Sequence, residues 1–548
     1  MEQLKDMNQS VTDFTEDIHT ILLRQNENTK KKYDTLLSLV ANLETKPKIA
    51  MDYLKQLRGN VILLGKEHEK LVGTLMYFPW ADQDEDVVTE YQAFLLNLVS
   101  AHPYYLRACI KMVIRHFFPA IAAETPNQSM SQNGYQFDAE RSRDARFIRA
   151  HYLLQSLAKI VPSTRSILVP LLGDSFPFVT RDVFTHKSYT RNVLQVMQYL
   201  PDLRLQLLEL IVDRMLRLDV RASRKDIEEA EFSINAEMDH VNFVCGEKVQ
   251  QKCYQEITYS MKHEEAERLD TMMDLVLAHI YHTCYPSGQD DWEETKKLFR
   301  ELLFVFDKLI FITHASNHTQ FLLFYICSFK QPLCERFIEY LWGKTNASTT
   351  QTIFRKSAAG YIASFLTRAS FLNISTVKSA LELMMQWANK YLQQVGSESH
   401  ADFTHHSPFY AVCQTIFYVF CVWGHQLFES HLGFRWIESL KFQDLVHSKL
   451  NPLRFCQPFI CKTFASLMRM HQLTYCDTKI ENNSRYSFGV VDEVLPAMYS
   501  FDPYLLKKSL KWIKPLYRGH NEILHYFEET DKEDVDDFLP QEKTSWIR

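Results

Sequence analysis

Glycine occurs 14 times in 548 residues, well under its usual share of about 7%. Hairpins, bulges and tight turns of sheet proteins draw on glycine for positive φ. A chain this poor in it is steered toward helix. No two glycines lie closer than Gly59 and Gly65. The patterns G-x-G-x-x-G and G-x-S-x-G therefore occur nowhere, which excludes Rossmann nucleotide binding and the usual nucleophile elbow by counting.

The apolar pattern agrees. Leu203, Leu207, Leu208, Ile211, Met215 and Leu218 recur at three- and four-residue intervals after the start signal Pro201–Asp202, marking one face of a helix. The stretch from Trp292 to Ile312 repeats this with Leu298, Phe299, Leu302, Phe306, Leu309 and Ile310. Similar segments cover 319–342, 352–371, 377–392 and 408–428, and period-two alternation is nowhere sustained. The helices come in pairs whose starts recur at roughly forty-residue intervals, as in HEAT-type arrays. The expected fold is all-α: a HEAT-repeat-like helical solenoid of degenerate helix pairs, in which spacing outlives sequence identity. A non-repetitive all-α globule is the rival.

Breaks in the pattern divide the chain. N-terminal repeats are expected over 1–220, with a polar, glycine-punctuated loop at 122–144. An insertion or linker is expected over 221–270, and C-terminal repeats over 271–520. An acidic tail follows at 521–548, where Glu528, Glu529, Asp531, Glu533, Asp534, Asp536 and Asp537 crowd into ten residues, too charged to bury.

Lys plus Arg total 61 and Asp plus Glu 67, a formal charge of -6. A body so near neutrality is no general polyanion binder. Eleven cysteines without a C-x-x-C pair argue against a disulfide framework or zinc ribbon and for reduced thiols in a cytosolic or nuclear protein. The polar start MEQLKDMNQSVTDF lacks the apolar core of a signal peptide. Uninterrupted apolar runs such as Phe321–Cys327 fall short of the ~18 residues of a membrane span, so no membrane role is expected. The sequons at Asn317 and Asn373 are then chance.

Motifs for chemistry are weak. Gly343–Lys344–Thr345 resembles the end of a phosphate loop, but Ile338 stands where the earlier glycine belongs. Asp82, Asp84, Glu85 and Asp86 lack the glycine and terminal glutamate of a calcium loop. His405–His406 have no third ligand suitably spaced, and Cys327 in an aromatic helix reads as a small buried hydrophobe. No cofactor or metal is expected, and a non-enzyme is the preferred reading over an unrecognised α-helical hydrolase. The basic cluster Lys507, Lys508, Lys511 and Lys514 is stronger. On a helix, 507, 511 and 514 would share one face, which could meet phosphate or an acidic protein surface. Reversing all four charges is then expected to weaken that contact and leave stability nearly unchanged. Lys30–Lys31–Lys32 is a weak nuclear-import hint.

Longer segments carry a resemblance. Tyr189-Thr-Arg-Asn-Val-Leu194, Tyr199-Leu-Pro201, Leu208-Glu-Leu-Ile211 and Leu218-Asp-Val220 come first. Asp307-Lys-Leu309 follows, with His314-Ala-Ser-Asn-His-Thr-Gln-Phe-Leu-Leu-Phe-Tyr-Ile-Cys-Ser-Phe329. Then come Ala358-Ala-Gly-Tyr-Ile-Ala-Ser-Phe-Leu-Thr-Arg-Ala369, Pro408-Phe-Tyr410, Leu450-Asn-Pro-Leu453 and Phe501-Asp-Pro503. Leu95-Leu-Asn-Leu-Val-Ser-Ala101 and Ser175-Phe-Pro-Phe178 also match. In this order they resemble the RNA polymerase I-specific transcription initiation factor family, TIF-IA, from about residue 50 to beyond 517.

The resemblance implies a non-enzymatic HEAT-repeat bridging factor. Such a factor binds RNA polymerase I near its stalk, links it to the promoter core-factor complex at ribosomal RNA genes in the nucleolus, and is controlled by phosphorylation. The family's serine-rich N-terminal patch directs attention to Ser163, Thr164 and Ser166, in the Val161–Ile167 stretch between helices. These three are the phosphorylation candidates. With Ser100, Ser188 and Arg191, beside or within the matching blocks, they are also the polymerase-binding candidates. Lys507, Lys508, Lys511 and Lys514 become the candidates for contact with promoter DNA or the core factors, where reversing all four charges is expected to weaken recruitment. The family's acidic serine-rich loop corresponds to 122–144, which holds little acid here. An importin-type helical-repeat adaptor or scaffold, with the same solenoid physics, is the alternative.

Overall fold

The structure, a computed structural model, describes residues 18–23, 27–41, 47–119, 132–241, 260–313, 315–395, 400–429, 431–486, 494–496, 500–501 and 503–519. The polypeptide divides into two compact units, Met1–Ile211 and Val212–Arg548. Among the described residues the secondary structure is helical throughout. The exception is a single antiparallel bridge between Ala369 and Tyr517.

In the first unit the main helices are Pro47–Gly59, Glu85–Ala101, Leu106–Arg115, Gln132–Ile160, Thr164–Asp174 and Val183–Tyr199. Asp182 caps the last of these, its carboxylate accepting from the Thr185 amide at 2.8 Å and satisfying a free N–H of the first turn. The Glu85–Ala101 helix packs on Pro47–Gly59 and on Gln132–Ile160, and Leu106–Arg115 packs on Thr164–Asp174. Trp80, Tyr91, Phe94 and Phe117 fill this core.

In the second unit the helices Glu264–Cys284, Trp292–Val305, Phe321–Cys327, Gln331–Asn346, Thr352–Arg368, Ile374–Val395, Phe403–Phe428 and Pro458–Met470 pack on helices next to them or next but one in this order. Asp291 caps the Trp292 helix through the Glu294 amide. Its apolar stripe then runs on as a π-helical turn, Phe306–Ile310. The stretch read as one segment over 319–342 is two helices. Pro332 stands in the first turn of Gln331–Asn346, where the missing N–H costs nothing.

Phe403–Phe428 is the centre of this core and packs on the Thr352, Ile374 and Pro458 helices. It corrects the expectation from uninterrupted apolar runs: by length and composition alone it could cross a membrane, and 78% of its most apolar window is buried inside the protein. Phe417, Phe420 and Phe464 interlock here, with ring centroids 4.4 Å apart for Phe417 and Phe464.

Two segments differ from the reading of the sequence. The stretch expected as a loop at 122–144 is helix from Gln132 onward; positions 122–131 lie outside the described residues. The stretch expected as an insertion or linker at 221–270 contains the helix Arg224–Val241 and the start of Glu264–Cys284, while 242–259 lie outside the described residues. Both were misread for one reason: their charged side chains hide the apolar period on which the reading relied.

Candidate functional site

Lys507, Lys511 and Lys514 do not form one face of a helix. Residues 503–506 form a strap without regular secondary structure, 507–508 bend, and helix begins only at Leu510–Ile513. The strap is sewn to the second unit by carboxylates. Asp270, fully buried, accepts the backbone amides of Lys507, Lys508 and Ser509 at 2.9, 2.7 and 2.8 Å, and the Ser509 hydroxyl. The lysine side chains close the contact. Lys507 Nζ pairs with Glu231 at 2.6 Å, Lys508 Nζ with Glu267, and Lys511 Nζ with Asp274 at 2.7 Å. Trp512 Nε1 donates to the same Asp274. Lys514 is exposed. Burial pushes the Asp270 carboxyl up, a shift that the Ser509 hydroxyl and the strap amides only partly offset.

A second buried carboxylate holds the turn before the Phe321 helix. Asp219 accepts the amides of Asn317, His318 and Thr319, the hydroxyls of Ser316 and Thr319, and faces His318 Nδ1 at 3.0 Å. Burial alone would raise its pKa; the His318 ring and the backbone amides outweigh that and hold it below the ordinary carboxylate range. So many converging donors maintain Ala315 at φ 66°, a conformation costly for a residue with a Cβ.

In the first unit, the Ser163–Ser166 turn divides by exposure. Ser163 and Ser166 are exposed and meet each other, Ser166 Oγ donating to the Ser163 carbonyl at 2.9 Å. Thr164 is fully buried, its hydroxyl turned to the Leu157 carbonyl. The candidate role of Thr164 as a modification site is therefore corrected: a kinase cannot reach it in the folded chain. Ser163 stands at the N-cap of Thr164–Asp174 without a side-chain cap bond, so its hydroxyl is not spent on the helix. Ser100 is exposed at the end of its helix and donates to Leu96. Ser188 is buried at 6% exposure and drops out as a surface contact. Arg191 is exposed, with Asp144 at 3.6 Å.

The weaker motifs resolve into structure. Gly343, Lys344 and Thr345 lie in the last turns of Gln331–Asn346, with Thr345 buried against Leu341 and Lys344 paired to Asp307. Asp82 and Glu85 are met by Arg146 and Arg149. His406 bonds Tyr391 at 2.9 Å. Burial raises the thiol pKa of Cys327, and raises that of Cys109 to about 12, the opposite of what a thiolate nucleophile needs. Among the described residues no three His, Cys, Asp or Glu side chains gather as a metal site.

Residues 8–524 match the family described as RNA polymerase I specific transcription initiation factor RRN3. The chain belongs to the RRN3 family. A mouse member, named RNA polymerase I-specific transcription initiation factor RRN3, is 36% identical over 95% of this chain and 84% of its own length. The fission yeast member of that name is 26% identical over 88% of this chain and 82% of its own length. The fold is also that of a solved structure, the crystal structure of RNA polymerase I transcription initiation factor Rrn3. Its TM-score is 0.71, at 19% identity, over 92% of this chain and 98% of that one. The all-α, HEAT-repeat-like solenoid class holds. RRN3 membership also gives the two carboxylates a context. Leu218-Asp-Val220 and the block from His314 to Phe329, which carried the resemblance, meet at Asp219. Phe501 of a third block bonds Ser364 of a fourth through its amide. Asp270 lies in no block, and nothing in its local sequence marks it.

Proposed function

We propose that this chain is an initiation factor that binds RNA polymerase I, in its stalk region, and links it to the promoter core-factor complex at ribosomal RNA genes in the nucleolus. Phosphorylation of Ser163 and Ser166 opposes the polymerase contact. The family match along residues 8–524 carries the reading, and the mouse and fission yeast relatives bear that activity in their names. The exposure of Ser163 and Ser166 supports the switch. Neutral hydroxyls permit close approach of another surface, whereas a phosphate adds about -1.5 to -2 charges that must be desolvated on docking. Ser100 and Arg191 are the remaining exposed candidates for the same contact. Promoter DNA has little to gain from Lys507 and Lys508, whose charges are already met within the chain.

The test is capture of purified RNA polymerase I by immobilised full-length chain. Ser163→Asp with Ser166→Asp is expected to lower capture at least tenfold, while the alanine pair retains it. Equal loss with alanine would move the role from charge to local structure. Full capture with aspartate would place the polymerase contact elsewhere.

A further inference from the structure

The second unit has an open cleft of about 610 Å³ between the Trp292–Val305 and Gln331–Asn346 helices. Trp292, Phe299, Phe304 and Leu333 supply its apolar lining, and Phe304 remains 49% exposed. Three cations, Lys296, Arg300 and Arg336, stand against one carboxylate, Asp307. That carboxylate is already engaged by Tyr340 and by Lys344 Nζ. Lys296 and Arg336 pair with Glu293 and Glu339 of their own helices. Those are surface pairs of little energy, easily exchanged for another anion. An apolar cleft with a cationic rim suits a segment that flanks carboxylates with aromatic anchors.

This chain contains such a segment. Tyr526 and Phe527 precede seven carboxylates set against Lys532 within 528–537, and Phe538 and Leu539 follow. We propose that this acidic segment, residues 526–540, docks into the cleft of its own molecule. The aromatic residues fill the apolar floor, and the carboxylates meet Lys296, Arg300 and Arg336.

Reach favours it. Arg518 is fixed, its amide donating to the Arg368 carbonyl and its guanidinium lying 4.0 Å from the Trp423 ring centroid. From Tyr517 a short series of contacts leads to the cleft. Tyr517 lies against Phe324, the adjacent Tyr325 against Phe329, and Lys330 over the Trp292 ring at 5.2 Å. An extended chain covers about 3.4 Å per residue, so the eight residues that follow Gly519, ending at Phe527, can span about 27 Å. A tether of this kind presents its ligand at an effective concentration in the millimolar range. A contact too weak to detect between separate molecules is therefore well populated within one.

The experiment uses the full chain with a photo-reactive benzoylphenylalanine at Phe538, mixed with isotopically labelled copies to separate contacts within and between molecules. Expected are crosslinks within one molecule to peptides from 292–307 and 331–346. They should fall at least fivefold in Arg300→Glu/Arg336→Glu and in 1 M salt. Both substituted side chains are exposed, and an unchanged melting temperature establishes that the fold is intact. Replacing the seven carboxylates by their amides on an unaltered cleft should give the same loss. Crosslinks that map elsewhere, join different copies, or persist after charge removal would overturn the proposal.

Discussion

A hydroxyl is open to phosphorylation only where a kinase can reach it, and along the Ser163–Ser166 turn that access changes from one residue to the next. Ser163 and Ser166 face solvent while Thr164 points inward. Its hydroxyl donates to the Leu157 carbonyl, which also accepts the Val161 amide at 2.8 Å. Thr164→Val leaves that carbonyl partnered and should cost under about 1 kcal/mol. Thr164→Asp buries a carboxylate with no cation beside it and should cost about 3 kcal/mol. Chemical unfolding of the two variants measures both. A loss of polymerase capture by Thr164→Asp would therefore report damage to the fold. The same loss in the Ser163/Ser166 aspartate pair, at unchanged stability, would report a surface charge. Side-chain direction within a single turn was not legible from the sequence, because Ser163, Thr164, Arg165 and Ser166 give no apolar period to orient them.

At the scale of elements, the helices were legible and the strap was not. Runs such as Leu203 to Leu218 declare their buried face by spacing alone, and the structure buries Leu207, Leu208, Ile211 and Met215 completely. The lysines at 507, 508 and 511 declare only charge. Their partners lie at Glu231, Glu267 and Asp274, more than two hundred positions away, and no local pattern encodes such a pairing. The expectation that reversing all four lysines spares stability is accordingly revised. Lys507→Glu with Lys508→Glu sets like charges beside Glu231 and Glu267 and should destabilise the second unit by about 2–4 kcal/mol, discounted because both side chains are roughly a third exposed. Lys514→Glu, on an exposed position, should stay within about 0.5 kcal/mol. Amide hydrogen exchange over 264–284 checks the pair: faster exchange there in the double variant and not in Lys514→Glu. Equal protection in both would return the lysines to the status of a solvated surface.

For the molecule as a whole, buried histidines set the acid limit. His151 is buried between Tyr199, whose hydroxyl lies 2.9 Å from Nδ1, and the Asn192 amide oxygen, 3.0 Å from Nε2. Burial lowers its pKa to about 4, and lowers that of His116 to about 4 as well, with Arg146 adding to the effect there. His406 and His471 in the second unit are pushed down in the same sense. An unfolded histidine titrates near 6.5, so between pH 6.5 and 4 these histidines bind more protons unfolded than folded, and their contribution to stability falls as pH falls through that window, while Asp270, pushed up by burial, acts in the opposite sense. His151 alone should contribute about 2–3 kcal/mol of this slope. Asp219, held low, keeps its contribution until pH drops below the usual carboxylate range. Urea midpoints measured across pH 4–7 should show the slope, shallower in His151→Gln; an identical slope would assign the acid sensitivity to other groups. The strap has a consequence in time as well as in energy. Asp270 waits for the amides of residues 507–509, which are synthesised more than two hundred residues after it. A ribosome that stops early releases a protein whose earlier helices are all present but whose buried carboxylate has no donors. Premature termination anywhere before the strap thus leaves Asp270 without the donors that its burial requires, even when the preceding helices have all been made.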